Sequence, residues 1–267
     1  MARQQLFYDS VIPLTVKKHK DLSIERVNYE FTREVNSVPL TAVEIPRASR
    51  EFTIVFAGSD EIVPVVVLGI EDKQNIYLTD DGKWSANYVP AFVRRYPFVF
   101  WQGEDKTKYT LCVDEKWEGC NTEGRGDRLF QDDEERSPYL TKMLGFLEEY
   151  QLQHQRTRAY CQRLKELEIL EPMRVDFTLG GGEKRSLGGF MAVSRAKLKE
   201  LPAEKLAELV KTDELELTYA HLTSMDNFSN MLAKSLQAKG DAPAEGSAEG
   251  SAEASPAEAS PAEESAE

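Results

Sequence analysis

The chain has 267 residues, 41% of them hydrophobic and 30% charged, which is enough apolar material for a real core in one domain or two. The formal net charge is −13, but eight acidic residues lie beyond Gly240, leaving −5 for residues 1–240. An acidic body with no basic cluster argues against a nucleic-acid partner, which is held by neutralising phosphates, and no apolar run approaches the ~20 residues that span a bilayer.

The amino terminus lacks a basic segment followed by an apolar one, so the expected location is the cytoplasm, with surface association requiring non-classical export. Residues 1–60 hold short apolar pieces, Val11-Ile12, Val43-Glu44-Ile45 and Phe52-Thr53-Ile54-Val55-Phe56, broken by Pro13, Pro39 and Pro46. These read as short strands and loops. Val63 to Ile70 is nearly all apolar and rich in valine, the pattern of a central strand buried on both faces. Gln74 to Trp84 carries Asp81-Gly82, suited to the positive φ angles of a tight hairpin turn. A short helix is expected from Pro90 to about Tyr96, followed by strands at Phe98 to Trp101 and Tyr109 to Val113 and a loop at Asn121 to Gly126.

Ser137-Pro138 opens the longest element. Serine can cap it, proline fits its first turn, and Leu140, Leu144, Leu147, His154, Cys161, Leu164 and Leu167 recur at helical spacing to about Ile169. So long a helix must cross most of a sheet or pair with a second copy in a homo-oligomer. Arg174 to Val193 reads as a hairpin turning at Gly180-Gly181-Gly182. Ser194 and Pro202 then open two short helices, the second running to about Lys211. Leu215 to Leu222 alternates as a strand would, with Leu215, Leu217, Tyr219 and His221 on one face, and a last helix follows Ser224 or Asp226. The expected fold class is therefore α+β: a mainly antiparallel sheet, one long helix, and a carboxy-terminal hairpin-helix-strand-helix unit, all in a single domain of residues 1–240. Residues 241–267 repeat Ala, Glu, Ser, Pro and Gly, cannot bury apolar surface, and read as a disordered acidic tail.

Chemistry concentrates between Trp84 and Trp101. Trp84, Tyr88, Phe92 and Tyr96 recur every fourth residue, and Arg94 and Arg95 lie beside rings on which guanidinium groups stack. Trp84, Tyr88, Phe92, Tyr96 and Trp101 with Arg94 and Arg95 are thus the candidate ligand-binding residues, suited to a glycan or a peptide. The alternative for the same residues is a packed core, with the arginines tied to loop carbonyls or a buried carboxylate. Tyr88-Val89-Pro90-Ala91-Phe92-Val93-Arg94-Arg95-Tyr96-Pro97-Phe98 resembles the hallmark segment of the bacterial SapC family. Leu68-Gly69, Asn75-Ile76, Gly82-Lys83-Trp84, Leu129-Phe130, Gly188-Gly189-Phe190 and Tyr219-Ala220-His221-Leu222 with Ser224 follow that family's order. The resemblance implies a link to the surface layer or cell envelope, and it brings no reaction, cofactor or catalytic residue with it.

Enzyme signatures are otherwise absent: no nucleophile elbow, zinc spacing, Rossmann fingerprint or phosphate loop occurs. The one catalytic alternative is a two-histidine, one-carboxylate iron site of the 2-oxoglutarate oxygenase type from His19, Asp21 and His221, which Met231 weakens by standing where that family places an arginine. Cys112, Cys120 and Cys161 are odd in number and lack CxxC spacing, as free thiols in a reducing compartment would, leaving a Cys112–Cys120 bridge open.

Overall fold

The computed structural model describes residues 6–102, 109–178, 184–238 and 253–256. The triglycine turn and most of the acidic tail therefore lie outside the described residues. The chain opens with β1 (Val11–Pro13), one helical turn α1 (Val16–His19), β2 (Ser23–Ile24) and β3 (Ser37–Pro39). The Val43-Glu44-Ile45 piece is helical rather than extended: a 3-10 turn, Ala42–Glu44, runs into α2 (Ile45–Ala48). Local chemistry decides this, because the Glu44 carboxylate reaches back to accept from the Thr41 N–H at 2.9 Å and Pro46 fits the first turn of α2.

β4 (Ile54–Ala57) and β5 (Val63–Val67) follow as an antiparallel pair, with β3 on the far side of β5. Alternate residues of this pair feed two cores. Ile54, Phe56 and Val66 enter the larger, whereas Val55, Val65 and Val67 enter the smaller, so the apolar run at Val63 is continuous because both faces are covered. The Leu78↔Trp84 bridge closes the Asp81-Gly82 turn, Gly82 taking a φ of +74°. Next come α3 (Ala91–Arg94), β6 (Phe98–Gln102), β7 (Tyr109–Asp114), β8 (Cys120–Asn121) and β9 (Asp127–Arg128). Two small antiparallel sheets result, ordered β1-β7-β6 and β8-β2-β9.

The long helix α4 spans Pro138–Glu166, about 43 Å at ~1.5 Å per residue. Ser137 Oγ accepts from the Leu140 N–H at 3.1 Å, and Pro138 occupies the first turn. Its buried face, including Leu140, Leu147, Tyr160, Cys161 and Leu164, packs on the larger core. The hairpin of β10 (Leu170–Thr178) and β11 (Lys184–Val193) extends the main sheet, whose order is β12-β10-β11-β4-β5-β3 once β12 (Glu253–Pro256) is placed on the outer edge of β10. β12 is the described part of the acidic tail. The remaining helices are α5 (Arg195–Glu200), α6 (Ala203–Lys211), α7 (Glu214–Ser224) and α8 (Asn227–Ala238). Phe228, Met231 and Leu232 of α8 close the smaller core.

α7 corrects the strand expected at Leu215 to Leu222. Its buried side chains are Glu214, Thr218, His221 and Ser224, a helical spacing carried by polar residues, while Tyr219 is exposed. The alternation of apolar residues misleads here because hydrogen bonding, not hydrophobicity, selects the inward face. Glu214 pairs with Arg163 at 2.7 Å, and Thr218 Oγ1 lies 3.0 Å from the Tyr160 hydroxyl. His221 Nδ1 donates to Ile54 O at 2.9 Å and Nε2 accepts from Val193 N at 3.1 Å. Ser224 Oγ accepts from Ile54 N at 3.1 Å and donates to His221 O at 2.6 Å. Among the described residues β4 and β11 are registered at Met191↔Phe56, and the imidazole bridges one main-chain group of each strand, Ile54 O and Val193 N.

Replacing His221 with leucine leaves Ile54 O and Val193 N buried without partners and is expected to cost about 2–4 kcal/mol in chemical denaturation. Burial lowers the His221 pKa from 6.5 to about 4, with the Ile54 carbonyl opposing that shift. The unfolded chain therefore binds the extra proton first. Stability is full above pH 6.5 and falls by roughly 3 kcal/mol as pH drops to about 4, a fall that thermal melts of His221→Leu should show reduced.

Candidate functional site

The Trp84–Trp101 segment is held by a buried carboxylate contributed from outside it. Glu44 Oε1 accepts from the Tyr88 hydroxyl at 2.6 Å and from Ala91 N at 2.7 Å, while Oε2 accepts from Thr41 Oγ1 at 2.7 Å. The Tyr88 phenol is pushed up, first by burial and then by the Glu44 charge. Trp84 is half-buried against Tyr29, Phe52 and Tyr77, with Nε1 donating to Tyr88 O at 2.8 Å. Tyr96 is buried, stacks on Phe31 and donates to Asp114 at 3.3 Å. Asp114 is itself buried and accepts from the Asp9 and Ser10 amides.

The two arginines part company. Arg95 is buried, its guanidinium 4.3 Å from the Phe92 ring centroid and 4.9 Å from that of Tyr150. Arg94 is exposed, donates from Nε to Val89 O at 3.0 Å and lies 5.1 Å over the Phe146 ring.

A cleft of about 540 Å³ is lined by α4, β6 and the β4–β5 turn. That volume is within the ~300–1,000 Å³ usual for ligand pockets. Phe92 and Tyr150 are among its lining, so Arg95 lies directly behind that wall. Trp101 and Tyr109 also line it and stay 46% and 45% exposed, unlike the buried Tyr88 and Tyr96. Its polar groups include Asp60, His154 and an Arg158–Glu61 ion pair at 2.7 Å. His154 stacks on Tyr150 at 6.4 Å and makes no hydrogen bond among the described residues. Burial lowers its pKa, with the Glu61 charge opposing, so the imidazole is neutral at neutral pH. A second cleft of about 510 Å³ shares Phe100, Tyr109, Gln151 and Gln155 with the first and adds Leu111, Leu144 and Leu152.

Of the seven residues singled out from sequence, Phe92 and Trp101 line the main cleft and Arg95 backs it. Trp84, Tyr88 and Tyr96 pack in the core, and Arg94 sits on the surface. Tyr109, Tyr150, His154, Arg158 and Glu61 are additions from structure. Tyr150, His154 and Arg158 follow each other at intervals of four on α4, a signal present in the sequence of which only His154 enters the expected core stripe.

The iron reading fails on His221, whose two ring nitrogens are both committed to main-chain groups of the sheet. His19 is buried with Nδ1 against Thr15, and among the described residues no group of three His, Cys, Asp or Glu is placed to hold a metal ion. The cysteines are free thiols, so the Cys112–Cys120 bridge is not formed, and burial pushes Cys120 and Cys161 up to about 12.

Arg95→Ala removes a desolvated cation from between two rings and is expected to destabilise the fold by at least about 2 kcal/mol. Arg94→Ala should change stability by less than about 1 kcal/mol. Urea denaturation of both variants checks the contrast, and equal losses would contradict it.

Compared with known proteins, residues 14–231 match the profile of the SapC family. No curated protein and no solved structure matches the chain. Among the described residues no helix is long and apolar enough to cross a membrane. The match covers most of the chain and includes α3, β6, α4 and the cleft they enclose, and on that ground the chain belongs to the SapC family.

Proposed function

We propose that this chain is a non-catalytic binding protein associated with the surface layer or cell envelope, and that its glycan or peptide ligand occupies the cleft between α4 and β6. The envelope assignment rests on the family's link to the surface layer. The observation that carries the ligand reading is the exposure of Trp101 and Tyr109 at a cleft whose polar side chains are only partly engaged. Large rings left open beside hydrogen-bonding groups are suited to recognition, where an aromatic face supplies contact area and polar atoms fix orientation. The non-catalytic reading has its own support. Among the described residues His154 makes no hydrogen bond to a hydroxyl or thiol that it could activate, and Cys120 and Cys161 are protonated at neutral pH.

Tryptophan fluorescence tests the reading, because Trp117 is buried, Trp84 is half-buried and Trp101 is the exposed indole. Titration with envelope glycan fragments and with peptides is expected to shift the emission for one class. Trp101→Ala should weaken that binding by about tenfold or more while leaving the melting temperature nearly unchanged. Undiminished affinity in the variant would place the ligand elsewhere.

A further inference from the structure

The geometry points to an extended peptide as the occupant of the cleft, adding as a strand to the outer edge of β6; this rests on the cleft being the ligand site. Among the described residues β6 is an edge strand, with β7 as its one neighbour. The ladder phase is fixed by Asp114 N donating to Pro97 O at 3.0 Å, which turns Val99 and Trp101 toward β7 and leaves Phe98, Phe100 and Gln102 facing outward. The chain satisfies the first of these itself. Phe98 N donates to Arg95 O at 2.8 Å, and Phe98 O accepts from the Tyr8 hydroxyl at 2.8 Å. Phe100 comes next: its outward N–H and C=O have no partner among the described residues, and the residue lines the cleft.

Side-chain alternation fits the same occupant. Trp101 points to one face of the small sheet, while Phe100, Tyr109 and Leu111 point to the other, yet Trp101, Phe100 and Tyr109 all line the cleft, which therefore wraps the edge of β6. A strand laid on that edge would direct alternate residues toward Trp101 and toward the apolar wall formed with Leu144 and Leu152. Charge narrows the sequence. Arg158 is paired with Glu61, and Asp60 makes no ion pair among the described residues, so the peptide should carry a lysine or arginine among alternating apolar residues.

Selection of a random peptide library on the full chain, counter-selected on Trp101→Ala, tests this. Alternating apolar sequences containing a basic residue are expected. Methylating the one ligand amide that bonds Phe100 O should weaken binding about tenfold, methylation of its sequence neighbours far less. Hydrogen exchange should show the Phe100 amide slowed only when peptide is bound, and Asp60→Lys should weaken binding through charge. Equal tolerance of methylation at every position, or an unchanged Phe100 amide, overturns strand addition. Binding of glycan fragments but no peptide, sensitive to Trp101→Ala, overturns the peptide while leaving the cleft as the site. Failure of both ligand classes to respond to Trp101→Ala overturns the cleft itself.

Discussion

The Glu44 carboxylate is the constraint on which the region around the cleft depends. Its charge is buried, and a buried charge is tolerated only where donors surround it; here two main-chain amides and two hydroxyls do so. Those donors come from two distant stretches. Thr41 precedes the 3-10 turn, whose Ala42 amide is also held by Thr157 of α4 at 2.8 Å, and Tyr88 and Ala91 open α3. One anion thus ties α4 and α3 through a common turn, and Tyr150 of α4 and Phe92 of α3 are the rings that enclose Arg95 and line the cleft. Hydrogen bonding at Glu44 thus helps to position that wall from outside the cleft.

Much of this architecture was legible because local rules and tertiary packing agree. Ser137-Pro138 starts α4 as capping predicts, Pro90 and Pro97 bracket α3, and the valine run at Val63 is a strand covered on both faces. Legibility fails where burial is polar. Val43-Glu44-Ile45 looked like a strand because the sequence does not announce that Glu44 will be an internal anchor. Leu215 to Leu222 looked like a strand because its inward face is Glu214, Thr218, His221 and Ser224, chosen by polar contacts with Arg163 and Tyr160 of α4 for the first two and with the main chain of Ile54, more than 160 residues earlier, for the last two. The site was half legible for the same reason. The aromatic-rich stretch marked Phe92 and Trp101 but could not tell which rings Glu44 and Asp114 would draw into the core, and the interval of four shared by Tyr150, His154 and Arg158 does not tell a cleft-facing row from a core-facing one.

The polar groups divide into two populations with different consequences. Glu44, Asp114 and His221 are buried and engaged at two or more atoms or by two or more donors, so their replacement disturbs the fold. His154 and Asp60 lie at the cleft with no comparable partners among the described residues. A partly solvated imidazole or carboxylate contributes little to stability, so these positions are free to be chosen for what they contact outside the chain.

An open strand edge is a hazard that proteins ordinarily cover, charge or bend away. At Phe98 this chain does cover it, using the Tyr8 hydroxyl and the turn at Arg95; two residues later no described residue does, although Trp101 stays exposed beside the gap. The open rung lies instead at a cleft lined also by α4 and the β4–β5 turn. The hallmark segment ends at Phe98, where the covered edge gives way to the open one. What that segment builds is therefore the inner wall and the first covered rung of the cleft, and under the proposed binding role the choice of ligand would fall to the side chains beyond it, Phe100, Trp101 and Tyr109, and to those facing them from α4.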